Sequence, residues 1–209
     1  VASRNVSNAG NTDYARKQAT VTSLSAGMLA VTGQTRSTDE LLLDKLMTAT
    51  SNAGAGASLL DGLKRLSETV GDPESSLSPA GMLGKLQQAL QLYEQNPADS
   101  ARAQGAVQAA NGLARSLNQA TSTIQSVRSE ADAGISDAVG KINTLLQQFK
   151  EVNSAITSAS GSSAEMTENM DTREKLAREM SELIGIRIVR RPNNDMALYT
   201  DGGVTLFET

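Results

Sequence analysis

Residues 103–159 read AQGAVQAANGLARSLNQATSTIQSVRSEADAGISDAVGKINTLLQQFKEVNSAITSA, and their apolar spacing sets the expected fold. Apolar residues recur three and four positions apart, with one extra step of four between Ala131 and Ile135. This spacing predicts one continuous helix of roughly 85 Å, with an apolar seam for partner helices and a locally relaxed supercoil. The larger seam residues are Leu113, Leu117, Ile124, Val127, Ile135, Ile142, Leu145, Phe149, Val152 and Ile156.

A first helix is predicted over residues 38–70. Ser37 and Glu40 have the spacing of a capping box, so the helix is expected to begin near Thr38. Gly54 and Gly56 each weaken its middle by about 1 kcal/mol. The sequence Gly-Asp-Pro at residues 71–73 is expected to end it.

A second, shorter helix is predicted over residues 79–95, because Ser78 offers a cap and Pro79 occupies the first helical position. Asn96 and Pro97 repeat this start signal ahead of the long helix. Since about half of the seam positions of the long helix are alanine, the two shorter helices are expected to pack closely along that seam.

Both ends of the chain have β character. Runs at 18–24 and 28–35 flank Ser-Ala-Gly, which predicts a hairpin. Near the other end, a helix over about 167–184 is expected to stop at Gly185. Alternating residues at 186–190, 197–200 and 204–207 then predict a three-stranded antiparallel meander.

The predicted fold class is mainly α, a long antiparallel helical bundle or coiled-coil rod with a small hairpin and a short meander. Three parts follow from this pattern. Residues 1–36 carry a polar segment and the hairpin, 37–185 form an elongated helical domain, and 186–209 begin a small β region.

Composition argues against most enzyme classes. The 209 residues include no His and no Cys, which removes the usual general base and all thiolate or imidazole metal ligands. Aromatic residues make up 2%, so thin Ala/Leu packing is expected. The net charge of −4 disfavours nucleic acid as a partner.

Individual candidate sites also have plainer explanations. The glycine-rich stretch 53–57 lacks the Gly-Lys-Ser/Thr of a phosphate loop. Asp195 and Asp201 fall in separate turns without the acidic pattern of a calcium loop. Charges of both signs at 171–179 resemble a solvated helix face. We therefore expect no catalytic residues, no cofactor and no metal.

The polar opening of the chain, residues 1–36, leaves two possibilities open. It is either an unordered tail or a segment that orders against neighbouring subunits. No run approaches the roughly 18 to 20 apolar residues of a membrane span, so no membrane partner is expected. Because the sequence ends within an apparent strand, we treat it as a fragment of a longer protein.

Several segments nevertheless resemble one family. Residues 3–18, SRNVSNAGNTDYARKQ, are similar to the Asn-x-Ser-Asn-x-x-Thr-x-Gly-Tyr-x-Arg motif of bacterial flagellar rod, hook and hook-associated proteins, with Asp13 where glycine is commonest. Residues 96–102, 170–176 and 182–186 resemble the hook-associated protein 1 subgroup, the FlgK family. The order of the parts is similar as well.

The resemblance implies a structural subunit at the junction between the flagellar hook and filament, hence an extracellular protein exported through the flagellar type III channel. Its implied partners are copies of itself in a ring or helical assembly, the hook protein, a second hook–filament junction protein and an export chaperone. Residues Asn5, Ser7, Asn8, Tyr14 and Arg16 are then expected to form a subunit interface and to order only on assembly.

Three alternatives stay open. The chain could be another axial protein, either the junction partner or flagellin. A chemoreceptor signalling domain also contains long Ala-rich coiled coils, but the single irregularity and the meander speak against it. An exported lytic enzyme would need a catalytic carboxylate pair, and we find no recognisable motif for one.

Overall fold

The computed structural model describes residues 1–23, 28–71, 75, 77–159 and 163–209. In chain order the helices are α1 (Ala2–Ser7), α2 (Glu40–Leu66), α3 (Pro79–Gln95), α4 (Ser100–Ser158) and α5 (Ala164–Ser181). The strands are β1 (Arg16–Ser23), β2 (Leu29–Ser37), β3 (Ile186–Arg190), β4 (Met196–Thr200) and β5 (Thr205–Phe207). A π-helical turn, Ser67–Gly71, follows α2, and a 3-10 turn, Pro192–Asn194, separates β3 from β4. The predicted class, mainly helical with one long helix, a hairpin and a meander, is confirmed.

The chain divides into two compact units. Unit 1 comprises Val1–Ala55 and Ala138–Thr209, and unit 2 comprises Gly56–Asp137. Helices α2 and α4 therefore each contribute residues to both units. The three-part division of the sequence stays a prediction.

The long helix predicted over residues 103–159 is α4, which spans 59 residues without interruption. Asn96 and Pro97, however, do not begin it. Asp99 caps the helix instead, because its Oδ1 accepts hydrogen bonds from the backbone N–H of Ala101 at 2.9 Å and Arg102 at 3.4 Å. A side-chain acceptor directly before the first turn satisfies N–H groups that have no partner within the helix.

The start predicted for α2 is wrong by two residues. Ser37 pairs with Arg16 as the last residue of β2, so it is not available as a cap. Asp39 takes this place, and its Oδ1 accepts the Leu42 N–H at 3.0 Å. Helix α3 begins as predicted, with the Ser78 side chain accepting from the Gly81 N–H at 3.1 Å. The predicted stop of α2 at Asp72 and Pro73 lies outside the described residues.

The N-terminal hairpin is confirmed, and away from the turn its strands extend two residues beyond the predicted runs, to Arg16 and Ser37. Strands β1 and β2 pair antiparallel from Arg16 with Ser37 to Ser23 with Leu29, with an irregularity after Thr20. The expected Ser-Ala-Gly turn lies outside the described residues.

The C-terminal meander is also confirmed, with β4 between β3 and β5 and both pairings antiparallel. Helix α5 begins three residues earlier than predicted, because the Ser163 hydroxyl accepts the Met166 N–H at 3.0 Å. Helix α5 ends at Ser181, so Gly185 is not its stop.

Unit 1 holds the main apolar core. The Phe149 side chain of α4 is fully buried and meets the ring of Phe207 edge to face, with centroids 5.3 Å apart. Helix α5 and the meander complete this core. Its buried members are Met47, Leu145, Phe149, Leu176, Ala177, Met180, Ile186, Ile188, Met196 and Leu198.

The predicted seam is unequally buried along α4. In unit 1, Leu145, Phe149 and Ile156 are buried, and Ile142 and Val152 are half-buried. In unit 2, Leu113 and Val127 are half-buried, whereas the larger part of the seam is open. There the exposed fractions are 50% for Leu117, 40% for Ile124 and 63% for Ile135.

Two glycines allow close packing in unit 1. A Cβ at Gly54 would lie 2.9 Å from the backbone oxygen of Glu182, so α2 approaches the end of α5 backbone to backbone. A Cβ at Gly185 would overlap the side-chain carboxylate of Asp201. The backbone N–H of Asp201 also donates to the Gly185 oxygen at 3.1 Å. The role of these glycines is therefore to make room for neighbours, rather than to loosen α2 or to stop α5.

Candidate functional site

The opening segment, residues 1–17, folds back on itself through Asn5. The Asn5 amide donates from Nδ2 to the backbone oxygen of Lys17 at 2.8 Å, and its Oδ1 accepts the Lys17 N–H at 3.0 Å. Asn5 therefore satisfies both backbone groups of Lys17, as a neighbouring strand would do. Helix α1 has only six residues and no apolar repeat, which explains why the sequence pattern did not predict it.

Tyr14 and Lys17 extend this contact toward α5. The Tyr14 hydroxyl donates to Asn5 Oδ1 at 2.9 Å, and the Lys17 ammonium lies 4.8 Å from the centre of the Tyr14 ring. The Lys17 Nζ also lies 3.1 Å from Asp171 Oδ2, as an ion pair without hydrogen-bond geometry. Since Lys17 is 2% exposed, its charge is neutralised inside the protein by an α5 carboxylate.

Arg36 at the end of β2 makes the strongest contact with α5. Its Nε donates to Asp171 Oδ1 at 2.8 Å, and its Nη1 and Nη2 donate to the two oxygens of Glu174 at 2.9 and 2.6 Å. Burial works to lower the pKa of Arg36, but the hydrogen bonds and charges of Glu174 and Asp171 outweigh it and raise the pKa. The guanidinium therefore stays charged and fixed in a bidentate pair.

A second group of ion pairs holds residues 4–13 on the same helix. Arg178 donates from Nη1 to the Thr12 oxygen at 3.0 Å and pairs with Asp13 through Nη2. Arg4 pairs with Glu168 one turn before Asp171. These pairs are more exposed than that of Arg36, so we expect them to contribute less to stability.

Lys175 in the charged run 171–179 is exposed, but the interpretation of this run as a solvated helix face is wrong for Asp171 and Arg173. Their exposed fractions are 8% and 3%. The spacing of charges along a helix predicts contacts within that helix, and it carries no information about residues far away in sequence. Here Asp171 and Glu174 pair with residues more than 130 positions earlier.

Of the five residues predicted to form an interface, three make side-chain hydrogen bonds within unit 1. Asn5 and Tyr14 bond to each other and to Lys17, so these two side chains have partners without any neighbouring subunit. Asn8, the residue that follows α1, donates from Nδ2 to the Arg4 oxygen at 3.0 Å and accepts from Asn11 Nδ2 at 3.2 Å. Ser7 and Arg16 are exposed, and their side chains make no hydrogen bond with the described part of the chain.

The residues that sequence reasoning missed are Lys17, Arg36, Asp171 and Glu174. A signal for them existed, because the opening 36 residues carry Lys and Arg with Asp13 as their one acidic residue. A basic segment and a helix rich in Asp and Glu complement each other in charge.

The chemistry of this site is that of attachment between segments. Its carboxylates already hold cations of the chain, and no group of three acidic residues suited to a metal occurs among the described residues.

Asp195 accepts from Asn153 Nδ2 at 2.6 Å and from the Thr209 hydroxyl at 2.7 Å. Burial tends to raise the pKa of Asp195, but these hydrogen bonds outweigh it and lower the pKa. Within residues 1–23, 28–71, 77–159 and 163–209, no helix has the length and apolar character to cross a membrane.

Comparison with known proteins adds a family match. The sequence model of one protein family, described as the flagellar hook-associated protein FlgK helical domain, matches residues 63–209. The flagellar hook-associated protein 1 of Salmonella typhimurium and that of Salmonella typhi are each 25% identical to the chain over 183 residues, 85% of its length. The structure of the flagellar hook junction protein FlgK from Burkholderia pseudomallei superposes with a TM-score of 0.70 over 79% of the chain, at 23% identity.

The chain spans about a third of the length of these relatives. It covers 32% of each Salmonella protein and 29% of the Burkholderia chain. The superposition therefore supports the fold, and the family model supports membership over most of the sequence.

Proposed function

The chain belongs to the family of the flagellar hook-associated protein FlgK helical domain, and from this we propose that it acts as a structural subunit of the bacterial flagellum, at the junction between hook and filament. The observation that carries the proposal is the match of that family over residues 63–209, a range that contains the whole of the 59-residue helix α4. A long helix with an apolar seam provides stiffness and a surface for lateral helix packing.

The proposed location is extracellular, on the flagellum, after export through the flagellar type III channel. The proposed partners are copies of the chain itself in a ring or helical assembly, the hook protein and a second junction protein, with an export chaperone before assembly. The relatives support this because their names place them at the hook or the hook junction.

The opening segment is proposed to contribute to a subunit interface in two ways. Asn5 and Tyr14 shape the loop from within, since both bond to neighbours in the same unit. Ser7 and Arg16 are exposed and free to meet another subunit, and Asn8, which is half-buried and already bonded to Arg4 and Asn11, is proposed to join them. Neighbours of unlike sequence are better matched by such polar groups than by a closed apolar patch.

The open part of the α4 seam in unit 2 is a second surface for helix packing. Leu117, Ile124 and Ile135 expose large aliphatic side chains there. Exposed apolar groups at heptad spacing are typical of helices that pack against further helices.

A non-enzymatic role is proposed as well, since the sequence lacks both His and Cys.

Antibody labelling of the full-length protein on sheared flagella tests the proposed location. The label is expected at the distal edge of the hook. Labelling along the filament would instead favour a flagellin role, and absence of label from sheared flagella would overturn the flagellar assignment. A strain lacking the protein serves as the control for antibody specificity.

A further inference from the structure

Helix α4 contains a stretch that is exposed on every side. All residues from Arg128 to Asp137 are exposed, over about three turns of helix. A helix that packs along one side buries a residue in nearly every turn. The nearest buried side chains on α4 are Ala120 before this stretch and Leu145 after it, with exposed fractions of 6% and 5%.

This open stretch, residues 128–137, is held in helical form mainly by its own backbone hydrogen bonds. Its large seam residue, Ile135, is 63% exposed. Glu130 pairs with Arg65 of α2, but this pair is exposed and therefore adds little. Since packing supplies most of the stability of helices in proteins, the open stretch lacks the support that the flanking parts of α4 have.

Two glycines, Gly134 and Gly140, weaken the helix in the open stretch and just after it. A Cβ at either glycine would meet no atom of the described chain within 4 Å, so neither glycine makes room for a neighbour. Gly54 differs from them, because a Cβ there would meet the Glu182 backbone oxygen. A glycine without such a role lowers helix stability, because its backbone loses more conformational freedom than that of any other residue.

Two further features favour bending at the same place. The extra step of four from Ala131 to Ile135 shifts the path of the apolar seam around the helix. The Thr144 hydroxyl donates to the Gly140 oxygen at 3.1 Å, and bonds of this kind destabilise helices slightly and bend them.

We propose that residues 131–140 form a bending point in α4, where the helix flexes and opens more readily than on either side. Local opening is easiest where few apolar contacts are buried and the backbone is exposed to water. Helix α4 then consists of two stiff parts joined by a compliant one, which goes beyond the stiff scaffold proposed above. The bending point is a property of α4 itself, so it stands whether or not the chain is a flagellar subunit.

Pulsed electron paramagnetic resonance of spin-label pairs tests the flexing in the 209-residue chain. The chain has no Cys, so labels attach only at introduced cysteines. Gln125→Cys with Asn143→Cys brackets the bending point, and Gln104→Cys with Ser122→Cys is the matched control. All four positions are exposed on α4, and the two labels of each pair lie about five turns apart, or about 27 Å.

The control pair separates the effect of packing from that of glycine alone. Its span also contains two glycines, Gly105 and Gly112, but in addition it contains the buried Ala106 and Ala120. The distance distribution of the 125/143 pair is therefore expected to be broader than that of the 104/122 pair.

Adding Gly134→Ala and Gly140→Ala is expected to narrow the 125/143 distribution toward the control. Alanine strengthens the helix, and at both positions its Cβ meets open space, so the fold is kept. Equal widths for the two label pairs overturn the proposal, and so does a 125/143 width that the two alanines leave unchanged.

Hydrogen exchange of the unlabelled chain provides a second measurement, free of any effect of the labels. After correction for intrinsic rates, amides in residues 131–140 are expected to exchange faster than those in residues 145–155. The two alanines are expected to slow this exchange by about two- to fivefold for each glycine replaced. Uniform protection along α4 would contradict the bending point.

Discussion

Arg36 and Glu174 form a bidentate ion pair that joins the end of β2 to the middle of α5 across 138 positions of sequence. Both nitrogen–oxygen distances are within 2.9 Å, and the Arg36 side chain is 8% exposed. A pair with this geometry and burial fixes the position of the hairpin on the helix. In an exposed pair, by contrast, water readily replaces either charged partner.

Arg36→Met is expected to lower the free energy of unfolding by about 3 kcal/mol or more, because it leaves Asp171 and Glu174 without their main cation. Urea unfolding measures the change. Adding Glu174→Met is expected to recover part of the loss, with a coupling of about 1 to 3 kcal/mol. Arg65→Met breaks an exposed pair with Glu130 and is expected to change stability far less than Arg36→Met. Equal losses at both arginines would contradict the special role of Arg36.

Asn5→Ala is expected to release the start of β1 while leaving the helices intact. The variant removes both side-chain partners of the Lys17 backbone, a loss of about 1 to 3 kcal/mol in local stability. Hydrogen exchange of the Lys17 amide is the measurement, and the helical circular dichroism should stay constant. Asn8→Ala removes contacts with Arg4 and Asn11 and none with Lys17, so it serves as the matched control. Unchanged exchange at Lys17 would show that Asn5 does not hold the segment.

Ser7→Ala and Arg16→Ala are expected to leave the isolated chain folded and to impair formation of the hook–filament junction. Both side chains are exposed and lack hydrogen bonds within the described chain, so their loss removes no contact of the fold. Circular dichroism checks folding, and motility with electron microscopy of cells checks the junction. Normal junctions in the double variant would remove these residues from the proposed interface.

Gly54→Ala and Gly56→Ala are expected to have opposite effects. A Cβ at Gly54 meets the Glu182 backbone oxygen at 2.9 Å, so the substitution should cost about 1 to 3 kcal/mol. A Cβ at Gly56 meets open space, and alanine there should stabilise the chain by about 0.5 to 1 kcal/mol. Thermal unfolding of the two variants side by side measures the difference. A loss of stability at Gly56 equal to that at Gly54 would point to a general intolerance of α2 to substitution.

The Glu130 carboxyl is expected to titrate well below its ordinary range. Hydrogen bonds from Arg65, and then from Ser126, lower its pKa from 4.5 to about 2. Because the pKa is lower in the folded state, the pair favours folding above about pH 4.5, and this contribution is lost as the pH falls toward 2. Carbon NMR of the carboxyl during an acid titration measures the pKa. Arg65→Gln should return it toward 4.5, and no change in this variant would mean that Arg65 is not its cause.

The sequence predicted those parts of the fold that depend on local periodicity. The apolar spacing of residues 103–159 predicted α4, and alternation predicted β3, β4 and β5 to within one residue at each end. Both features follow from the geometry of a single element, in which one side faces apolar neighbours.

The candidate site depends on contacts that no local pattern contains. Ser37 and Glu40 matched a capping box, but strand pairing with Arg16 took Ser37 out of the helix start. The charges of α5 matched a solvated face, but Lys17 and Arg36 cover Asp171. In each case a contact between residues far apart in sequence overrode a sound local preference.

The two-part composition of unit 1 has a consequence for the order of folding. Its first 55 residues and its last 72 are separated by unit 2, so the unit closes across an intervening segment of roughly 80 residues. Lys17 and Arg36 acquire their partners on α5 only after that helix is available. A chain that emerges N-terminus first therefore keeps its hairpin undocked until α5, residues Ala164–Ser181, has appeared, while unit 2, continuous in sequence, is free to form earlier.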